Sequence, residues 1–129
     1  MPAVALQAIA WQAGSLCRNE RFAAMNYSEF WPRYLAAHAD PRCRVMHHAG
    51  TLAALALLIV AAVEADWRWL VAAIVVGYAS AWLGHAVFER NRPASFSHPL
   101  WSLLGDFRML GLFLTGRLAG ELRRRDIKR

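Results

Sequence analysis

The sequence predicts an all-α fold, a compact helical bundle built on a membrane-embedded helical hairpin, with a short N-terminal helix and an amphipathic C-terminal helix. Three observations carry this. Two apolar runs follow one another across one short polar break, basic residues flank the outer ends of those runs, and a later segment repeats leucines at helical spacing. The chain has 129 residues, enough for one domain. Hydrophobic residues make up 57% and charged residues 19%, against roughly 45–50% and about 25% in an ordinary soluble domain. This composition excludes disorder for most of the chain. The two cysteines, Cys17 and Cys43, have no framework spacing, which excludes a disulfide scaffold.

Residues 1–25 read as an N-terminal extension with no assigned role. Ala3–Ala13 is apolar, but Arg18 and Arg21 follow it, the wrong order for a secretory signal. Met25 offers an alternative start. Residues 26–122 read as a single helical membrane domain, and 123–129 as a basic tail.

Within that domain, Ser28–His38 is predicted to be a short helix with Ser28 as N-cap, since Pro32 is tolerated only near a first turn. Asp40-Pro41 breaks it, because proline disfavours α geometry in the residue before it. A second helix begins near Arg42 and runs into Ala49–Val63, which is 15 residues without a charge. A spanning helix needs about 20 residues, and this one gains length by extending back past His47. Glu64-Ala65-Asp66-Trp67-Arg68 is a polar break. Trp69–Phe88 then gives 20 residues free of Asp, Glu, Lys and Arg. Gly77 and Gly84 permit a neighbouring helix to approach closely. Asn91-Arg92-Pro93 ends the second run. Leu100–Ala119 is amphipathic, with Leu100, Leu103, Leu104, Phe107, Leu110, Leu114 and Leu118 at helical spacing, interrupted by Asp106, Arg108 and Arg117. This stripe reads as packing rather than as a substrate wall. The segment is open to lying in the interface, packing on the hairpin or re-entering the bilayer.

The net charge is +6, and 14 of the 15 cations are arginine. Arg33, Arg42 and Arg44 precede the first run, and Arg90 and Arg92 follow the second. The positive-inside rule therefore predicts an integral membrane protein with both ends cytoplasmic, in the inner membrane if the source is bacterial. The Arg123-Arg124-Arg125 tail reads as a solvated part of the same signal, with contact to membrane lipid headgroups as the alternative. Nucleic acid is not an expected partner, because the aromatics sit in apolar runs and do not interleave with the basic tail.

Five histidines carry the candidate chemistry: His38, His47, His48, His85 and His98. His85 lies inside an apolar run, where an ionisable group is costly and marks function by default. Glu89 is four residues on, hence on the same helical face. His38 and His47 would face opposite sides of one continuous helix, but the Asp40-Pro41 break lets a helix–turn–helix bring them together. In a hairpin the start of one helix and the end of the next share a level, so His47, His85 and Glu89 converge with His38. Imidazoles with a carboxylate and open positions suit iron(II). Zinc is chemically possible as well. His48 points about 100° away from His47 and reads as a supporting group, while His98 in its loop is either a ligand or a surface residue.

Taken together, several blocks resemble a known family. They are Phe30-Trp31-Pro32-Arg33-Tyr34-Leu35 with His38; Arg44, His47 and Gly50; Trp82-x-Gly84-His85 with Phe88-Glu89 and Arg92-Pro93-Ala94; and Pro99-Leu100-Trp101-Ser102-Leu103-x-Gly105-Asp106. The chain resembles the small membrane-embedded 2-hydroxy fatty acid dioxygenases, which include a fungal enzyme of the phytosphingosine to odd-chain fatty acid pathway. The likeness runs from about Tyr27 to Leu118. It implies an Fe(II)-dependent α-oxidation in which a 2-hydroxy fatty acid and O₂ give the acid one carbon shorter. The implied histidine ligands carry over onto His38, His47 and His85. The fungal form has a longer stretch between its helix pairs, with a further histidine there. Here the Glu64–Arg68 turn has none, which leaves a fourth ligand open among His48, His98 and Glu89. Arg90 or Arg92 is expected to pair with the substrate carboxylate. Two other classes stand beside this one: a non-catalytic membrane protein with structural histidines, and a zinc-dependent membrane lipid hydrolase.

Overall fold

The fold comes from a computed structural model that describes residues 25–128. Residues 1–24, most of the stretch read as an extension, lie outside the described residues. Helix α1 spans Tyr27–Ala36. Its cap is Asn26, not Ser28: the Asn26 side chain accepts from the Glu29 backbone N–H at 3.0 Å. Ser28 lies inside the helix, and its hydroxyl donates to the same Asn26 oxygen at 2.5 Å. Because the helix starts earlier than the sequence suggests, Pro32 falls past its first turn.

The break at Asp40-Pro41 is present. Arg44 closes the end of α1, donating to the carbonyls of His38 and Ala39 at 2.7 Å each. Helix α2 spans Pro41–Glu64, with Pro41 in its first turn and the Asp40 carboxylate accepting from the Arg42 N–H. It ends at Ala65, which adopts a left-handed conformation at φ 51°. Asp66 then caps helix α3, Trp67–Gly84, through the Arg68 N–H. A π-helical turn, His85–Glu89, extends α3. A short 3₁₀ turn at Ala94–Phe96 leads to helix α4, Pro99–Leu114, and helix α5 spans Leu118–Arg124. Among the described residues there is no strand.

Helices α2 and α3 form the expected hairpin and share the most extensive packing among the described residues. The segments Pro41–Glu64 and Trp67–Glu89 are long and apolar enough to cross a membrane, with mean hydropathies of 1.8 and 1.7 over their best windows. A core helix of a soluble protein passes the same test, but it would be mostly buried. Here only 17% and 22% of those windows is buried, and Ile59, Val63 and Val75 are exposed. Contiguous apolar surface of this kind suits lipid better than water.

The hairpin seam is tight where side chains are small. A Cβ on Gly50 would lie 2.4 Å from Ser80 Cβ, whereas one on Gly77 would meet Ala54 Cβ at an ordinary 3.6 Å. The large buried side chains lie elsewhere. Phe30, Trp31, Tyr34 and Leu35 of α1 pack with Met109 of α4 and Leu118 and Leu122 of α5. Trp31 Nε1 donates to Glu121 across this layer at 2.9 Å. That bond, followed by Arg125, holds the Glu121 carboxyl below the usual carboxylate range.

The C-terminal segment departs from its expected form in two ways. It is two helices, because Thr115-Gly116 ends α4, with Gly116 at φ +70°. The leucine stripe is also packed only in part, at Leu110 and Leu118. Leu100, Leu103, Leu104, Phe107 and Leu114 are exposed, while Ser102, Gly105, Met109 and Leu110 are buried. Beside a membrane, large apolar groups gain little by turning inward, so the small residues take the contact and permit close approach. Gly105 shows this: a Cβ there would sit 3.0 Å from the Tyr34 ring. Part of α5 also takes up the start of the basic tail, since the helix runs to Arg124.

The seam yields a paired test. Alanine in place of glycine in a helix gains about 1 kcal/mol of propensity, and overpacking costs roughly 1–3 kcal/mol. At Gly50 the obstacle is a Cβ held by its own backbone, so overpacking dominates. Thermal unfolding in detergent is expected to show a lower Tm for Gly50→Ala and an unchanged or higher Tm for Gly77→Ala.

Candidate metal centre

Three elements supply one imidazole each. His38 follows the last turn of α1, His47 lies in the second turn of α2, and His85 opens the π-helical turn after α3. All three are buried. The proline break turns the chain back, so that His38 Nε2 lies 3.1 Å from His47 Nε2. The hairpin returns His85, whose Nε2 lies 3.0 Å from His38 Nε2. The three ring centroids are 4.4, 4.5 and 5.1 Å apart.

The other nitrogen of each ring decides what this cluster is. His38 Nδ1 faces the Tyr34 backbone carbonyl at 2.5 Å. His47 Nδ1 faces the Asp106 carboxylate at 2.8 Å. His85 Nδ1 faces Asn91 Oδ1 at 2.7 Å, and that amide is oriented because its Nδ2 donates to the Ala37 carbonyl at 3.0 Å. Every Nδ1 therefore faces an acceptor and must carry the proton. In the neutral rings all three Nε2 atoms are then bare lone pairs aimed at one another. Only a cation at their common centre relieves that arrangement. A proton bridges two of the rings, while a metal ion takes all three.

This is also how metal-ligating histidines are usually held, with the far N–H given to a carboxylate, a carbonyl or an amide. The ligand atoms lie within 4.8 Å of one another, close enough for one ion. Burial, and then the neighbouring His47 and His85, push the His38 imidazole well below its usual range, which leaves it neutral. Burial and then Asp106 push the Tyr34 phenol well above its usual range. Tyr34 thus stays protonated and donates to the same Asp106 oxygen that serves His47.

The remaining candidates lie outside the cluster. His48 stacks on Phe113 with centroids 4.5 Å apart, and both its ring nitrogens are buried without a hydrogen-bond partner. His98 stacks on Trp101 at 5.0 Å, ahead of α4. Glu89 does not face the histidines. The π-helical turn closes with the Arg90 N–H donating to the His85 carbonyl. The Glu89 carboxylate instead accepts from the Asp40 backbone N–H at 2.5 Å, tying the end of α3 to the turn between α1 and α2. Arg90, in a left-handed conformation, and Arg92 are exposed on either side of Asn91.

Sequence reasoning missed the three residues that orient the rings and their supports: Asp106, Asn91 and Tyr34. Asp106 had a signal, being an acid that interrupts an apolar helical stripe. Asn91 had none, since it sits between two arginines in a loop where no periodicity applies.

No curated protein and no solved structure matches the chain. Residues 24–118, which include the three histidines, Asn91 and Asp106, match the family described as Mpo1-like, 2-hydroxy-palmitic acid dioxygenase Mpo1-like, and the chain belongs to that family.

Proposed function

We propose that this chain is an integral membrane Fe(II)-dependent dioxygenase that shortens a 2-hydroxy fatty acid by one carbon. One observation carries the reading: three Nε2 lone pairs converge on one point, and each opposite Nδ1–H is anchored. A structural histidine network would place donors against acceptors, so this pattern speaks for a metal. The family description speaks for 2-hydroxypalmitate and a dioxygenase. His38, His47 and His85 would hold the ion. Bound iron(II) would supply open coordination positions and the redox capacity for O₂ chemistry.

The overall reaction balances without another reductant. R–CHOH–COOH and O₂ give R–COOH, CO₂ and H₂O; the C1–C2 bond breaks, and C2 is oxidised to the new carboxyl carbon. The protein's own groups have simpler tasks. Asp106, Asn91 and the Tyr34 carbonyl keep the three Nε2 atoms deprotonated and aimed. The buried setting of the cluster keeps bulk water away from it. Arg90 and Arg92 flank Asn91, and the substrate carboxylate is assigned to one of them. Both ends of the hairpin, with their arginines, are assigned to the cytoplasmic face. The exposed apolar side of α4 rests on the membrane interface and on membrane lipids.

Three tests follow. Protein purified anaerobically in detergent is expected to carry about one iron per chain, lost in His38→Ala, His47→Ala and His85→Ala, and to consume O₂ with 2-hydroxypalmitate. Zinc in place of iron would favour lipid hydrolysis, and no metal with all three variants folded would make the histidines structural. Asp106→Ala is expected to weaken metal binding by about 10–100-fold in a chelator titration, with Asp106→Asn falling between it and wild type because the amide oxygen still accepts from His47. Arg90→Ala or Arg92→Ala is expected to raise KM by about tenfold, the worth of a charge-assisted hydrogen bond of roughly 1.5 kcal/mol. Unchanged turnover in both arginine variants would remove the carboxylate assignment.

A further inference from the structure

A furrow of about 570 Å³ runs along one face of the hairpin and under α4. Its volume falls within the usual range for ligand sites, roughly 300–1,000 Å³. Its floor holds small residues, among them Ala54 and Gly77, and its walls hold Leu58, Leu70 and Ile74 on the hairpin and Leu103 and Phe107 on α4. The two ends differ. At one end lie Thr51, one helical turn past His47, and Asp106, whose carboxylate accepts from His47 Nδ1. At the other lie Leu58, near the end of α2, and Leu70, near the start of α3. The furrow therefore begins beside the histidine cluster and continues as an apolar trough toward the hairpin turn.

Its length has a natural counterpart. From the level of His47 to that of Leu58 is eleven residues along α2, or about 16 Å at 1.5 Å per residue. One leaflet is half of a hydrocarbon core of roughly 30 Å. A lipid tail lying in one leaflet thus spans the trough when its head is at the histidines. The trough is also open on its side, since Leu70, Ile74 and Leu103 are exposed.

We infer that this furrow is the acyl-chain site, entered sideways from one leaflet, and that Leu58 and Leu70 set the length of chain accepted. The inference rests on the 2-hydroxy fatty acid reading and deepens it, because that reading places the head group and says nothing of the tail. It also gives a role to residues that the sequence had assigned to packing: Leu103 and Phe107 of the leucine stripe form a wall of the tail site.

The test is photo-crosslinking in lipid nanodiscs with a 16-carbon 2-hydroxy fatty acid bearing a diazirine near its methyl end. Peptide mapping is expected to find adducts at Leu58, Leu70 or Ile74, suppressed by excess 2-hydroxypalmitate. Leu58→Trp, which fills the far end, is expected to shift the competition between 16- and 12-carbon 2-hydroxy acids toward the shorter acid by about tenfold, the scale on which apolar pockets discriminate by size. Adducts spread over outward-facing residues such as Ile59 and Val75 and insensitive to competitor would overturn the inference, even with normal turnover of 2-hydroxypalmitate. The same holds if Leu58→Trp leaves chain-length preference unchanged. Conversely, furrow adducts competed equally by hexadecanoic acid, with no turnover of the hydroxy acid, would sustain the acyl site and overturn the hydroxy acid reading instead.

Discussion

His38 Nε2 cannot hold a bare lone pair 3.1 and 3.0 Å from two other bare imidazole nitrogens without a cation between them, and much of this fold serves to bring the three rings together. Each ring arrives on a different element and each is fixed from behind. The Tyr34 carbonyl, the Asp106 carboxylate and the Asn91 amide oxygen take the three Nδ1 protons. Those supports are tied down in turn: Asn91 to the Ala37 carbonyl, and Asp106 to the Tyr34 hydroxyl. The break at Asp40-Pro41 lets α1 fold back over the start of α2, and Glu89 pins that turn to the end of α3. Fixing the outer nitrogens in advance would reduce the ordering cost of binding an ion there, which is the usual use of groups placed behind metal ligands.

The molecule faces two environments, and its side chains divide accordingly. The hairpin turns large apolar residues outward and packs through small ones, as helices do where lipid removes the incentive to bury hydrocarbon. The layer of α1, α4 and α5 does the opposite. It buries Trp31, Tyr34, Leu35 and Met109 against one another, and burial of such side chains from water is worth roughly 1.5–3 kcal/mol each. The histidine cluster sits on the seam between these two parts. Tyr34 belongs to both, since its ring packs in the layer while its carbonyl and hydroxyl serve the cluster.

Helix α4 is the element whose meaning changed most between sequence and structure. Its leucines repeat at helical spacing, and in water that pattern would mark the buried face. The helix packs mainly through Ser102, Gly105 and Met109, with Leu110 alone of its leucines buried, because Gly105 lets the backbone approach the Tyr34 ring. That rotation brings Asp106 to His47 and leaves Leu103 and Phe107 along the furrow. An acid that looked like an interruption in an apolar stripe is the residue that links the stripe to the site.

The helical hairpin, its turn and the meeting of His38, His47 and His85 were legible in the residues alone, and for physical reasons. Helix breaks, apolar run lengths and the shared level of hairpin ends are local or one-dimensional properties. Asp40-Pro41 marks a helix boundary by its own chemistry, and two apolar runs joined by a short polar break return the chain toward its starting level. What a side chain does at the end of an element was not legible. The four-residue spacing of His85 and Glu89 implied a shared face, but the Glu89 carboxylate is taken by the Asp40 N–H rather than by the cluster. His48 and His98 met aromatic rings rather than the cluster. Asn91 and Asp106 carry no pattern that marks them as supports for a ring far away in sequence. Their roles follow from the rotation of α4 and the path of a loop, which are settled by packing across the whole chain. The sequence by itself therefore determined that the Asp40-Pro41 break and the hairpin could bring His38 and His47 to the level of His85, and only the tertiary structure decided which of the five imidazoles converge and which atoms of each ring face inward.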